Sequence, residues 1–528
     1  MRIPRRSLLA LAAASAPAAT RAQSRAETLR VVMGGVVNSL EPVAFGATRE
    51  ATGMSGYVYD RLLAFGRKRN GAGWIFDFDS IRGELAESLE VQDEGRRILL
   101  RLREMTWHDG TPVTAEDVKW SLDRAVGGNT MSKSQLATGS LTSPEQFRIP
   151  DARTIEVTLE RPDRLALPNL ACFYAPIFNA RLARRHATAE DPWATAWLKD
   201  NTAASGAYMV ETYRPGQQVM LRRNEAWKGG PLPFFRRVIL QTVPEAATRA
   251  SLVERGDADL CIDLQANDVI GLQQRGGLRV VSTPHPTGFS ALIFNTRMPP
   301  FDNRLVRQAI AAALPYDDIF RAGVQSRGAP LYGAAWSDTP DSAAFPQALP
   351  FRTDLARARE LIAEAGHGGG FRTLLSFGVS NATFAEPVAA LVKEALARIG
   401  IEVEIRKLPD PQMASLITEK RAPMLLELSA ALFPSTEYFF RIFYNGEQRW
   451  NFSSWANPEV AALLPQARFE TDPARYDAMA KRLIALAAAE APMIPLWQPS
   501  QDAVMAPGIA DYTFWYHRQV DVRDLRSA

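Results

Sequence analysis

Cysteine and histidine are scarce in this chain. Only two cysteines, Cys172 and Cys261, occur among its 528 residues, so a disulfide framework and a Cys-x-x-Cys zinc site are both excluded. Two interpretations stay open: one disulfide in an oxidising compartment, or two separately buried thiols. Five histidines are scattered without a His-x-x-x-His pair, and the sequence therefore predicts no preformed metal site.

The sequence patterns of common catalytic sites are also missing. No Gly-x-Ser-x-Gly elbow occurs, because the run from Gly53 to Gly56 lacks the required spacing, and no glycine-rich phosphate loop precedes a helix. We therefore predict a protein that is not an enzyme and that uses no cofactor.

No hydrophobic run long enough to cross a membrane occurs outside the extreme N-terminus. There, Arg5-Arg6 precede a short apolar run that ends at Ala19. This pattern is typical of a cleaved export signal of the twin-arginine kind, predicted over residues 1–22 with cleavage near Ala22. Because no cysteine follows the signal, we expect a periplasmic protein that is not a lipoprotein.

The balance of charge gives no sign of a nucleic-acid partner. The chain has 61 basic and 58 acidic residues, and residues 1–22 contain four of the arginines and no acid. Removal of the predicted signal would thus leave a nearly neutral protein. Nucleic-acid binding needs a concentrated basic surface, which this composition does not indicate.

The most distinctive motif runs from Thr106 to Arg124. Asp109-Gly110 predicts a turn, Thr114 is suited to cap a helix, and Asp117 lies at the positive end of that helix. These patterns predict an architectural role for the motif. The residues to which we assign it are Trp107, Asp109, Gly110, Thr111, Pro112, Thr114, Asp117, Val118, Ser121 and Arg124.

This motif resembles the signature of the solute-binding proteins of ABC transporters in the peptide and nickel family, family 5. Other segments resemble the same family in the same order, from the loop Ser39-Leu40-Glu41-Pro42 to the strand that ends at Leu496. Among them, residues 52–65 are apolar at helical spacing and predict a helix. The resembling segments extend over most of the chain.

The resemblance implies an α/β fold of the two-lobed periplasmic binding protein type (type II), with mixed sheets, a hinge and an extra subdomain in the first lobe. Two crossing segments, near His285–Ala291 and Pro492–Pro499, would join the lobes. The implied limits are residues 23–75, 200–288 and 495–528 for lobe I, 76–199 for its extra subdomain, and 289–494 for lobe II.

In peptide-binding members of the family, an acid in a loop of the second lobe binds the ligand's amino group. The corresponding stretch here is Leu425 to Phe440, and Leu432 stands at the position of that acid. A buried ammonium without a counter-ion is costly, so the sequence speaks against simple dipeptides. The candidate cleft residues are Ser39, Leu40, Glu427, Leu432, Phe433, Glu437, Tyr438 and Trp455.

The resemblance also implies a function and partners. It implies the periplasmic substrate-binding component of an ABC importer, a monomer that captures a peptide or a peptide-like solute and delivers it to permease and ATPase subunits on other chains. Two alternatives stay open at this point. One is a receptor for a nickel chelate or another non-peptide solute, and the other is a hydrolase or chaperone on the same scaffold.

Overall fold

A computed structural model describes residues 27–528 of the chain. The predicted export signal, residues 1–22, lies outside the described residues. In the described part, no helix is both long and apolar enough to cross a membrane. The fold is α/β, because helices pack on mixed sheets that contain both parallel and antiparallel pairs.

Strands form the framework of the molecule, and most of them belong to one mixed sheet. We number them in chain order, and several are only two or three residues long. The strands of residues 27–528 are β1 (Thr28–Met33), β2 (Leu63–Asn70), β3 (Gly73–Gly83), β4 (Ala86–Gln92), β5 (Arg97–Leu102), β6 (Phe147–Asp151), β7 (Thr154–Thr158), β8 (Tyr208–Arg214), β9 (Gln218–Arg223), β10 (Arg237–Thr242), β11 (Leu260–Cys261), β12 (Arg279–Pro284), β13 (Gly288–Phe294), β14 (Gly328–Pro330), β15 (Phe371–Gly378), β16 (Ile401–Leu408), β17 (Met424–Ala430), β18 (Met493–Met505), β19 (Ile509–Ala510), β20 (Thr513–Phe514) and β21 (Arg526–Ser527).

Helices pack on both sides of these sheets. Their buried faces carry the apolar residues of the core, and most of them are short. The α-helices of the described residues are α1 (Arg49–Val58), α2 (Ala115–Gly127), α3 (Met131–Ala137), α4 (Ala166–Ala171), α5 (Ala180–Arg184), α6 (Thr195–Leu198), α7 (Ala246–Glu254), α8 (Ala266–Arg275), α9 (Arg304–Ala313), α10 (Tyr316–Asp318), α11 (Leu355–Glu364), α12 (Ala382–Ala397), α13 (Asp410–Thr418), α14 (Thr436–Phe443), α15 (Pro458–Phe469) and α16 (Pro473–Glu490).

Strand β18 connects the two lobes of the molecule. Its first part pairs with β13, and its second part pairs with β12 and β11. The strand order β16-β15-β17-β13-β18-β11-β1-β10-β9-β8 therefore divides at β18. We call the side with β1 and β8–β12 lobe I and the side with β13–β17 lobe II. The chain passes between the lobes where β12 leads into β13 and again along β18, near both crossing segments that were predicted.

A separate antiparallel sheet of four strands, in the order β4-β5-β7-β6, extends lobe I. Helix α2 of the sequence motif packs on it, contacting β6 and β7. We call this sheet and the helices between β5 and β8 the extra subdomain. The residue limits given above for the lobes and the subdomain come from the resemblance and stay a prediction.

The motif makes intramolecular contacts. Thr114 is the N-cap of α2, as predicted, and Asp117 completes a capping box by accepting from the Thr114 backbone N–H at 3.0 Å. The other oxygen of Asp117 accepts from the Ala180 N–H at 2.9 Å. Arg124, at the far end of α2, forms a buried ion pair with Glu41 at 2.9 Å.

Two further expectations are decided by the structure. The helix predicted over residues 52–65 is wrong in its second half, since α1 ends at Val58 and Leu63 begins β2. Asp60 leaves the helix because its carboxylate accepts from Trp227 Nε1 at 2.8 Å and from Ser205 Oγ at 2.7 Å. The two cysteines are both buried and both free thiols.

Candidate ligand-binding cleft

A cavity with a volume of about 760 Å³ lies between the lobes. Its lobe I wall comes from α1, from Phe173-Tyr174 and from the C-terminal segment Tyr516–Arg518. Its lobe II wall comes from the ends of β15 and β17 and from α13 and α14. A cavity of this size suits a small organic ligand, and both lobes would contact the same molecule.

The lobe I wall carries two arginines. Arg49 forms an ion pair with Asp263 at 3.2 Å and lies 3.6 Å from a carboxylate oxygen of Glu50. Arg518 follows β20, and its guanidinium makes no hydrogen bond or ion pair with any residue of 27–528. Burial lowers the pKa of Arg518, with a further contribution from the nearby charge of Arg49. A fixed, unpaired positive charge thus faces the cavity.

His517 adds a neutral group to the same wall. Burial lowers its pKa to about 3, so the ring is uncharged at neutral pH. Its Nδ1 accepts from the Gln519 backbone N–H at 3.1 Å, which places the proton on Nε2. No group of three or more possible metal ligands occurs within residues 27–528.

The lobe II wall carries two carboxylates. Glu427, in β17, accepts from Asn381 Nδ2 at 3.2 Å and from the Leu428 N–H at 3.0 Å, both with Oε1. No basic residue of the described chain forms an ion pair with it, and burial raises its pKa. Asp410, the first residue of α13, accepts from the N–H and the hydroxyl of Ser380.

Apolar side chains complete the lobe II wall. Met413 and Ile417 reach it from α13, and Phe443 reaches it from α14. Trp450, which is 48% exposed, stands at one side with Arg449 over its ring at 4.9 Å. Such a wall favours a ligand that has an apolar body between its charged groups.

Comparisons with known proteins agree with this geometry. The family model of the bacterial extracellular solute-binding proteins, family 5 Middle, matches residues 80–451. The chain belongs to this family. The resemblance seen in the motif is therefore confirmed, and so is the function it implies, substrate binding for an ABC importer. Family 5 members are solute-binding proteins rather than enzymes.

Individual relatives cover most of this family 5 protein. It is 28% identical over 427 residues to the probable D,D-dipeptide-binding periplasmic protein DdpA of Escherichia coli K12, covering 78% of this chain and 77% of that protein. It is 24% identical over 440 residues to the glutathione-binding protein GsiB of Shigella flexneri, covering 79% and 80%. The structure of AgaA from A. tumefaciens R10 in complex with agropinic acid has a TM-score of 0.73 at 21% identity, over 95% of this chain and 99% of that chain. This last likeness confirms the two-lobed fold.

Three of the eight predicted cleft residues line the cavity: Glu427, Leu432 and Tyr438. Tyr438 also reaches across to lobe I, where its hydroxyl lies 3.4 Å from Gln135 Oε1. Whether these residues contact a ligand stays a prediction.

The other five predicted residues lie away from the cavity wall. Ser39 bonds through its hydroxyl to the Glu41 backbone, and Leu40 lies 2% exposed beside a different depression. Phe433 packs against two lobe I rings, and Trp455 packs against another ring of lobe II. Glu437 is ion-paired with Arg441 at 2.7 Å.

Sequence reasoning missed the charged residues of the lobe I wall and one acid of lobe II. Arg49, Arg518 and Asp410 lie on segments that carry no distinctive motif. Arg518 lies beyond the last segment that resembles the family, near the C-terminus. The one local signal was the start of α13, where Asp410-Pro411 is typical of a helix N-terminus.

Proposed function

We propose that this protein captures a peptide or a peptide-like organic solute in the cleft between its lobes, in the periplasm, as a monomer. The observation that carries the proposal is the cavity of about 760 Å³, to which both lobes contribute charged and apolar side chains. A ligand held by both walls stabilises the closed arrangement, because only that arrangement satisfies both sets of contacts. The closed receptor then delivers the solute to permease and ATPase subunits on other chains.

Glu427 supplies the carboxylate that the loop at Leu432 lacks. It lies on the cavity wall, its Oε2 takes no hydrogen bond from any of residues 27–528, and it has no basic partner there. A ligand ammonium placed against Oε2 would form a charge-assisted hydrogen bond in a largely buried site. Peptides with a free amino group are therefore included in the proposed ligand class, in contrast to the expectation drawn from Leu432 alone. The dipeptide and glutathione specificities of the relatives DdpA and GsiB support the same size of solute.

Native mass spectrometry of the protein as purified from periplasm tests this function. We expect one organic molecule per chain, released unchanged on unfolding. Recovery of a reaction product from an added peptide would contradict a pure binding function. A stabilisation that requires nickel together with a chelator would contradict a peptide-like ligand.

The route of export has its own test. We propose the twin-arginine route for residues 1–22, because Arg5-Arg6 stand immediately before the apolar run. Replacing both arginines by lysine keeps the positive charge. We expect the precursor to accumulate in the cytoplasm, and normal export of the variant would favour the general secretory route.

A further inference from the structure

Arg518 is a charged side chain of the cleft that the fold itself leaves without a partner. The guanidinium lies in the lobe I wall, and no hydrogen bond or ion pair to it occurs within residues 27–528. Asp263 is near enough to act on it electrostatically, but this carboxylate is ion-paired with Arg49 at 3.2 Å. Arg518 is partly buried, and arginines withdrawn from water are ordinarily paired, because an isolated charge is expensive to desolvate. An unpaired guanidinium in a cavity wall therefore indicates a partner that comes from outside the chain.

The backbone of Arg518 adopts a conformation of raised free energy. Its φ angle is +57°, a left-handed conformation that is uncommon for residues other than glycine. Hydrogen bonds fix it there. The Arg518 N–H donates to the Trp515 carbonyl at 2.8 Å, and the Arg518 carbonyl accepts from Gln501 Nε2 at 3.0 Å. Strain that is maintained in this way is typical of functional positions.

The two walls of the cleft carry opposite charges that do not meet. Arg518 lies on the lobe I wall and Glu427 lies on the lobe II wall, and no ion pair within 4.0 Å joins them. Each lobe thus contributes at least one charge that lacks a counter-ion in the described chain. A ligand that carries both charges would pair with both walls at once.

We propose that Arg518 binds an anionic group of the ligand, a carboxylate or a comparable oxyanion, while the cationic group lies against Glu427 on the other lobe. This assignment rests on the proposed function and makes it more specific, because the solute must then be a zwitterion oriented across the cleft. A planar guanidinium can hold a carboxylate through two parallel hydrogen bonds. Closure without a ligand would bury both charges unpaired and is disfavoured for that reason.

Calorimetry with a matched set of dipeptides tests the assignment. Leu-Phe and Ala-Phe, in both L,L and D,D forms, are each supplied as the free peptide, the C-terminal amide, the N-acetylated acid and the N-acetylated amide. We expect binding by at least one free peptide, and a loss of roughly 30-fold or more in affinity for its C-terminal amide. Arg518→Gln should weaken the free peptide by a similar factor and leave the affinity for the amide unchanged.

The control variants separate charge pairing from folding. Arg518→Lys keeps the positive charge but cannot form a bidentate pair with a carboxylate, so its affinity should lie between those of Arg518→Gln and the unchanged protein. Arg372→Gln removes an arginine that is 83% exposed on β15 and should bind like the unchanged protein. The melting temperature of ligand-free Arg518→Gln should equal or exceed that of the unchanged protein, because the removed charge has no partner to lose.

Several outcomes would overturn the assignment. They are equal affinity for a free peptide and its amide, full affinity in Arg518→Gln, and binding by no carboxylate-bearing member of the set. If amides or neutral members bind as tightly as the free peptides, the anion site at Arg518 is wrong while the solute-binding function stands. If native mass spectrometry also finds no organic ligand in the purified protein, the proposed function fails as well.

Discussion

A buried contact between the lobes should set the strength of ligand binding without contacting the ligand. Arg468, on α15 of lobe II, donates from Nε to Asp163 of the extra subdomain at 2.9 Å. Its Nη2 donates to the carbonyls of Ala137 and Thr138, each at 3.2 Å, and to Ser140 Oγ at 3.0 Å. This contact joins lobe II to the extra subdomain of lobe I, so it is lost when the lobes separate.

The burial of the two side chains sets the free-energy loss expected for Arg468→Gln. The Asp163 side chain is fully buried and that of Arg468 is 20% exposed. Truncating one partner of a buried charge pair costs about 2–5 kcal/mol. Without Arg468, Asp163 keeps hydrogen bonds from Ser140 Oγ and the Leu165 N–H. Because Arg468 is also partly solvated, we expect a loss at the low end of that energy range. We expect Arg468→Gln to destabilise the closed form by about 2 kcal/mol and to weaken ligand binding about 30-fold.

Calorimetry and small-angle X-ray scattering measure the two consequences. Arg468→Gln should raise the dissociation constant for the bound peptide, and at a peptide concentration that half-saturates the unchanged protein its radius of gyration should exceed that of the unchanged protein. Arg482→Gln is the matched control, because the Arg482–Glu459 pair lies within lobe II with both side chains 45% exposed. Exposed pairs contribute less than about 1 kcal/mol. Unchanged affinity and scattering in Arg468→Gln, or an equal effect of Arg482→Gln, would refute the reasoning.

Two further predictions follow from buried carboxylates. Burial raises the pKa of Glu427, and only the ionised form of this carboxyl pairs with an ammonium. Peptide affinity should therefore fall as pH falls through a value above the usual glutamate pKa. Glu427→Gln should abolish that pH dependence in calorimetric titrations, and a dependence that persists in the variant would contradict the prediction. Glu41→Gln leaves the buried Arg124 without its counter-ion and should lower the free energy of unfolding in urea by about 3 kcal/mol. Glu90→Gln, at an exposed position, is the control. An equally small loss in both variants would exclude the Glu41–Arg124 pair as a stabilising contact.

Short-range sequence patterns predicted the structural features that depend only on neighbouring residues. The cap at Thr114 and the capping box with Asp117 involve residues three positions apart, so their pattern is visible in the chain itself. In the structure, Asn303 and Asn457 cap α9 and α15 through equally local contacts. The two-lobed fold was predicted from the resemblance of the motif and of other segments to family 5.

Elements whose limits depend on distant partners were not predictable in this way. The apolar spacing of residues 52–65 fits one helix, but α1 ends at Val58 because Asp60 bonds to Trp227 and Ser205. Those partners follow about 150 positions later in the chain. Tertiary hydrogen bonds outweighed the local helical preference there.

The cleft shows the same division. The lobe II wall of the cleft was predictable in part, since Glu427, Leu432 and Tyr438 come from the stretch that corresponds to the family's ligand loop. Which of the neighbouring acids lines the cavity was not predictable, because Glu437 is one turn from Arg441 and pairs with it, while Glu427 lies in the middle of β17 on the cavity wall.

The sequence by itself determined the turn and cap of the motif, because these depend on residues that are close together in the chain, and its resemblance to family 5 implied the family and the fold. Only the tertiary structure decided the charges of the cleft. Arg518 and Glu427 are 91 positions apart and belong to different lobes, and the absence of a counter-ion for either one among residues 27–528 is a property of the folded surroundings. A charge is unpaired only in relation to everything that packs around it, and that relation exists only in three dimensions.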